Sequence, residues 1–282
     1  MWTISLLAHL ISNTGYNTLL RHAAFGKRMD SLFLAAVLST AVALPAIPGV
    51  FIAKVDLSGL DTRQILLFIM ALALATAFHV ANTKALEYAE ASIFAFLYNL
   101  RIGIVTVFSI LFLSETAEPS RMIGGALVFV AGFFVIGSSG TNRAGVFWSV
   151  LAALLISSLN SIEKALITEI GWATYMFPVT LINMGILWFI VFAGKRPVSW
   201  QLFRERSTIG LLVCRCISAH GFTLALALGA LVSVATYVSA LTCITTSIAG
   251  VIFLRERDSL TRKLIAGVIA FASITLIYLA MR

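Results

Sequence analysis

Apolar residues along this 282-residue chain gather into ten long blocks, and short runs between the blocks hold most of the charges. A helix rising about 1.5 Å per residue needs roughly 20 apolar residues to cross about 30 Å of hydrocarbon. The blocks predict ten transmembrane helices, at Thr3–Leu20, Leu32–Ile52, Ile65–Leu86, Ala91–Leu113, Met122–Ser138, Gly145–Ile162, Thr174–Phe192, Ile209–Leu228, Leu231–Leu254 and Leu264–Ala280. They lack the strict alternation of a membrane barrel, so the backbone must satisfy its hydrogen bonds inside helices. The expected class is an all-α integral membrane protein with the lipid bilayer as its main partner. The first block lacks a basic leader and is interrupted by His9, Asn13 and Asn17, which reads as a first span rather than a cleaved signal.

Composition agrees. The chain is 60% hydrophobic and 11% charged, whereas a soluble domain is about a quarter charged. The net charge of +8 comes from residues beside span ends, where they anchor and orient a membrane protein, so nucleic acid is not an expected partner. The expected location is the inner (cytoplasmic) membrane. Cys214, Cys216 and Cys243 all fall inside spans at spacings that suit neither a redox pair nor zinc, and read as small packing residues. No metal or other cofactor is expected.

The chain repeats itself. Phe-Leu-Ser-Glu115 follows the fourth block and Phe-Leu-Arg-Glu256 the ninth, at an offset of 141 residues, half the chain; Ser92 and Ser233 share that offset. Leu10-Ile11-Ser12 is echoed by Leu155-Ile156-Ser157. The two copies span 1–140 and 141–282. Five spans per copy is an odd number, so the second copy enters the bilayer from the opposite side, giving two inverted five-helix repeats that can alternate access to a site between them.

The run Ala85-Leu86-Glu87-Tyr88-Ala89-Glu90-Ala91-Ser92, a span, Phe-Leu-Ser-Glu115 and Gly124 opening the next span resembles the EamA-type repeat of the drug/metabolite transporter superfamily. Leu231-Val232-Ser233, a span, Phe-Leu-Arg-Glu256 and Gly267 resemble it again. The resemblance implies ten helices around a central cavity walled by the first four of each half. It also implies diverse cargo, including amino acids, nucleotide sugars, choline-like cations and organic anions. Where the resemblance implies a proline near the middle of the fourth span, this chain has Arg101-Ile102.

A charge at mid-bilayer is costly, so ionisable residues in spans face a cavity or a partner. Arg101 lies mid-way along the fourth block and Arg215 a third of the way into the eighth. A forked, permanently charged guanidinium suits a carboxylate or phosphate; the plainer reading is an arginine bonded to carbonyls. His9, Asn13, Tyr16 and Asn17 share one face of the first helix. His79 with Asn82, and Tyr98 with Arg101, recur at i, i+3. Asn160, Asn183, Trp188, His220, Thr236 and Tyr237 are the second-half candidates, and interhelical packing is the alternative for each. By these boundaries all twelve acidic residues lie in loops or near span ends, Glu163 and Lys164 among them as interface residues.

These residues predict a secondary transporter for a small anionic or zwitterionic metabolite such as an amino acid, a carboxylate or a phosphorylated compound. A flippase for a lipid or lipid-linked head group is the alternative. Phosphate-binding loops are lacking, as are the acid pairs or metal motifs of an intramembrane enzyme. Proton coupling would fall to His9, His79 or His220. The glycines of the fifth and tenth spans, Gly124, Gly132 and Gly267, allow close packing as monomer or homodimer. Basic residues concentrate in the loops after odd-numbered spans, which taken alone puts both termini outside the cytoplasm, whereas the resemblance implies that both are cytoplasmic.

Overall fold

A computed structural model describes residues 1–26, 29–113, 119, 122–124, 126–127, 130–131, 142–199, 205–255 and 260–279. The regular elements among them are helices, numbered here in chain order. The first half contains α1 (Trp2–Arg21), which runs on into a π-helical turn at His22–Gly26, then α2 (Ser31–Ala43), α3 (Ala46–Ile52), α4 (Thr62–Tyr88), α5 (Ala91–Tyr98) and α6 (Arg101–Leu113). The second contains α7 (Arg143–Ile170), α8 (Trp172–Ala193), α9 (Arg206–Ala227), α10 (Val232–Ala240), α11 (Thr242–Phe253) and α12 (Leu260–Leu279).

Local chemistry explains the ends. The Asp30 carboxylate accepts from the Leu32 and Phe33 amides at the start of α2, Asp61 and Gln64 cap each other at the start of α4, and Asn142 accepts from the Ala144 amide at the start of α7. These satisfy amides that have no partner within their own helix. Gly171 sits at φ +85° and turns the chain from α7 into α8 in one residue, a backbone region that favours glycine.

Among the described residues six segments are long and apolar enough to cross a bilayer: Ser31–Ile52, Thr62–Tyr88, Arg143–Ile170, Trp172–Ala193, Arg206–Ala227 and Val234–Phe253. The 20-residue α1 falls outside that set because His9, Asn13 and Asn17 dilute its apolar character. Most of the fifth expected span, Met122–Ser138, lies outside the described residues, as do Glu115, Gly132 and Glu256.

Three expected spans are corrected in detail. The second is α2 and α3 meeting at Leu44-Pro45, where the proline ring limits helix continuity. The fourth and ninth are each broken, at Asn99-Leu100 between α5 and α6 and at Leu241 between α10 and α11. Both breaks carry tight i to i+3 bonds, Asn99 N–H to Phe96 O and Leu241 N–H to Val238 O, each 3.1 Å. The breaks touch: Asn99 Nδ2 donates to Ala240 O at 3.1 Å.

Four seams assemble the body: α1 along α9, α4 along α7, α2 against α8 and α5 against α11. Cys214 packs on α1, its Sγ 3.0 Å from where a Cβ would stand at Gly15. On the α4–α7 seam a Cβ at Gly145 would stand 2.9 Å from the Tyr88 carbonyl oxygen, which is backbone and cannot swing away. Gly145→Ala is therefore expected to destabilise by about 1–3 kcal/mol, read as a lower melting temperature in detergent. Gly185→Ala, with open space around its Cβ, is the control, expected to gain about 0.5–1 kcal/mol of helix propensity. Equal melting of the two variants would refute a tight seam at Gly145.

Basic side chains close two helix ends. Arg21 Nη1 donates to Leu86 O and Glu87 O near the end of α4, at 2.8 and 3.1 Å. Lys164 Nζ donates to Leu226 O and Ala230 O around the end of α9, at 3.0 and 3.3 Å. A cation there meets the negative end of the helix dipole. Lys164, expected at an interface as an anchor or ion pair, is thus a cap.

Candidate functional site

A cavity of about 100 Å³ lies where both halves meet, lined by residues of α1, α2, α4, α5, α6, α7, α8 and α9. Eight of the candidate residues named from the sequence line it: His9, Asn13, His79, Tyr98, Arg101, Asn160, Asn183 and Arg215. The polar face of α1 does look inward: His9, Asn13, Tyr16 and Asn17 are all buried.

Arg101 opens α6, directly after the break that ends α5. The break turns its side chain into the cavity wall, where it is 2% exposed. Its guanidinium lies over the Tyr98 ring at 4.4 Å, and that ring stacks on Phe94. Arg101 Nη2 donates to Ser239 Oγ at 2.6 Å. The hydrogen bonds then assign a chain. The Ser218 carbonyl, 2.7 Å from His9 Nδ1, can only accept, so Nδ1 carries the proton. His9 Nε2 therefore accepts from the Ser239 hydroxyl at 2.6 Å. One cation, one hydroxyl, one imidazole and one carbonyl are joined across α6, α10, α1 and α9.

Arg215, on α9, lies over the Tyr16 ring at 5.2 Å. Among the described residues no carboxylate comes within 4.0 Å of either guanidinium. Arg101 Nε and Arg215 Nε are both buried without a hydrogen-bond partner, and so is Asn160 Nδ2. A buried donor without an acceptor is expensive, and three around one cavity mark a place where an acceptor belongs.

The remaining candidates stand behind the cavity wall. Asn82 Nδ2 donates to the Tyr16 hydroxyl at 2.7 Å, one layer out, and Asn17 is buried on α1 without reaching the cavity. His220 Nε2 donates to Val42 O at 2.9 Å. Trp188 Nε1 donates to Thr40 Oγ1 at 2.8 Å and its ring stacks on Phe192. Tyr237 is packed with Ile102 and Ala240, and Thr236 is buried nearby.

The structure corrects the expectation that no acidic side chain lies deep. Glu163 lines the same cavity, two turns before the end of α7, and accepts from the Tyr175 hydroxyl at 3.0 Å. The sixth expected span stopped at Ile162, so Glu163 read as its edge; the helix runs on to Ile170 because no breaker precedes Gly171. That glycine was the signal available. Ser218 and Ser239, which hold His9 and Arg101, were also missed, since serine in a span is ordinarily a helix-packing residue.

His79 presents its ring to the cavity, and among the described residues neither ring nitrogen has a hydrogen-bond partner. Beside the cavity an apolar groove of about 630 Å³ runs between α4, α7 and α8, lined by residues such as Leu72, Leu151 and Ile186. Thr76 faces that groove, and its Oγ1 lies 2.8 Å from the Asn183 side chain, which faces the cavity.

Residues 1–137 match the model of the EamA-like transporter family. No curated protein sequence matches the chain. A crystal structure of a protein superposes on 99% of this chain and 97% of that one with a TM-score of 0.74 at 13% identity, a likeness of fold.

Proposed function

We propose, from the match of residues 1–137 to the EamA-like transporter family, that the whole chain is a ten-helix secondary transporter of a small anionic or zwitterionic metabolite. The observation that carries the cargo class is the pair of cavity arginines, Arg101 and Arg215, each with a buried Nε lacking an acceptor and, among the described residues, no carboxylate within 4.0 Å. A carboxylate or phosphate entering the cavity supplies what both lack.

Packing supports two inverted repeats and alternating access. Exchanging the halves turns the first span into the sixth and the third into the eighth. That operation maps the α1–α9 seam onto the α7–α4 seam and the α5–α11 seam onto the α10–α6 contact, and returns the α2–α8 seam to itself. It maps the Arg21 cap on α4 onto the Lys164 cap on α9. Asn99 and Ala240, bonded to each other, stand 141 residues apart, the repeat offset itself, as residues beside a two-fold axis must. The broken helices beside Arg101 are the natural hinges.

Cytoplasmic termini in the inner membrane fit this reading. Arg21, Lys84 and Lys263 count toward the opposite orientation in the sequence, yet they engage a helix end, the Trp148 ring and Glu90 respectively. Of the three span histidines His79 has the ring best placed to exchange a proton with cargo. The flippase reading rests on the apolar groove, which would hold an acyl chain while a head group reached past Thr76 and Asn183.

Melting the purified protein against carboxylates, phosphates, amino acids and lipid head groups tests the proposal, since a ligand at 100 times its Kd adds about 2.7 kcal/mol to the native state. An anion that stabilises and is then taken up by proteoliposomes in counterflow is the expected result. Stabilisation by cations alone, or movement of labelled lipid without metabolite uptake, would overturn it.

A further inference from the structure

Resting on the anionic-cargo reading, we propose that Glu163 sets the net charge of the cargo, tuning the cavity to a monoanion and against a dianion. Three permanently or ordinarily charged side chains face the cavity: Arg101 from α6, Arg215 from α9 and Glu163 from α7. Two positive charges and one negative leave a fixed charge of +1. Neighbouring titratable groups do not alter that count. His9 is satisfied as a neutral tautomer between Ser239 and Ser218. His79, on α4, is uncharged above the ordinary histidine range. Tyr175, on α8, donates to Glu163 as a phenol. Lys164 points its ammonium at the Leu226 and Ala230 carbonyls, away from the cavity.

Uncompensated charge in a cavity walled by helices is costly, because little water screens it. A monoanion brings the cavity to neutrality. A dianion leaves one negative charge in excess and must bring a proton for Glu163, or be refused. Without Glu163 the fixed charge would be +2 and the dianion would be the matched guest. Tyr175 supports the assignment, since its hydroxyl donates to one carboxylate oxygen and holds Glu163 in place while the carboxylate still faces the cavity. Glu163 makes no ion pair within 4.0 Å of either arginine, so neither guanidinium is neutralised by it before the guest arrives, although Arg101 Nη2 stays bonded to Ser239.

The test uses two probes of matched length at pH 8, butyrate and succinate, with binding read from the shift in melting temperature and from titration calorimetry. Wild-type protein is expected to favour butyrate by tenfold or more. Glu163→Gln is expected to move the butyrate-to-succinate ratio at least tenfold toward succinate, and Glu163→Asp to keep the wild-type preference. Glu163→Met, which fills similar volume without charge, gives the same reading should the glutamine variant fold poorly. A ratio unchanged in Glu163→Gln, with both anions still bound, overturns the role of Glu163 and leaves the arginine reading intact. Failure of the wild type to bind any member of a wider anion panel overturns the anionic-cargo reading, and this inference with it.

Discussion

Arg101→Ala is expected to abolish binding of anionic ligands while the protein still folds, and Arg101→Lys to weaken binding by about 1–3 kcal/mol, roughly five- to 150-fold. Lysine keeps the charge but loses the planar fork that grips a carboxylate by two parallel hydrogen bonds, and it stacks less well on the Tyr98 ring. Alanine removes the charge as well. A structural arginine makes the opposite forecast: Arg101→Ala would lower expression and melting temperature without selectively affecting anions. The geometry favours the binding role, because one guanidinium nitrogen is spent on Ser239 while Nε is buried without an acceptor. Titration of the hit from the ligand screen into both variants, alongside their melting curves, separates the two. A folded alanine variant that binds or transports anions as wild type does would end the proposal.

Where the helices lie was largely legible, since bilayer thickness demands long apolar blocks and the chain has little else. Where they break was not. Asn99-Leu100 and Leu241 contain neither glycine nor proline; the fourth helix stops because Asn99 turns its amide to the carbonyl of Ala240, a residue 141 positions away, and no local rule reports such a partner. The inward face of α1 was legible from the spacing of His9 and Asn13. Whether an inward side chain meets the cavity or a neighbour was not, because Trp188 and His220 satisfy their donors on Thr40 and Val42, contacts fixed by packing between halves. Glu163 escaped for a related reason: a charge beside an apolar block looks like its boundary unless the stop signal at Gly171 is weighed against it.

The second large effect lies at the buried ion pair of Glu90 and Lys263. Lys263 Nζ stands 2.6 Å from Glu90 Oε2, with the two side chains 3% and 11% exposed. In the sequence both read as loop charges, Glu90 before the fourth span and Lys263 before the tenth. In the fold Glu90 sits at the N-cap of α5, where the helix dipole also favours an anion, and Lys263 reaches it from the first turn of α12. Each charge has given up its hydration, so removing one strands the other in a low-dielectric setting. Glu90→Gln and Lys263→Met are each expected to destabilise by about 3–5 kcal/mol. The double variant should lose less than the sum of the two singles, because no uncompensated charge then remains, with a coupling energy of about 1–3 kcal/mol in the cycle. Melting temperatures of the four proteins in one detergent provide the measurement. Single variants within about 0.5 kcal/mol of wild type, the range of ordinary surface changes, or strictly additive losses in the double, would show that water or lipid head groups reach the pair and that it does not clamp α12 to the start of the broken fourth helix.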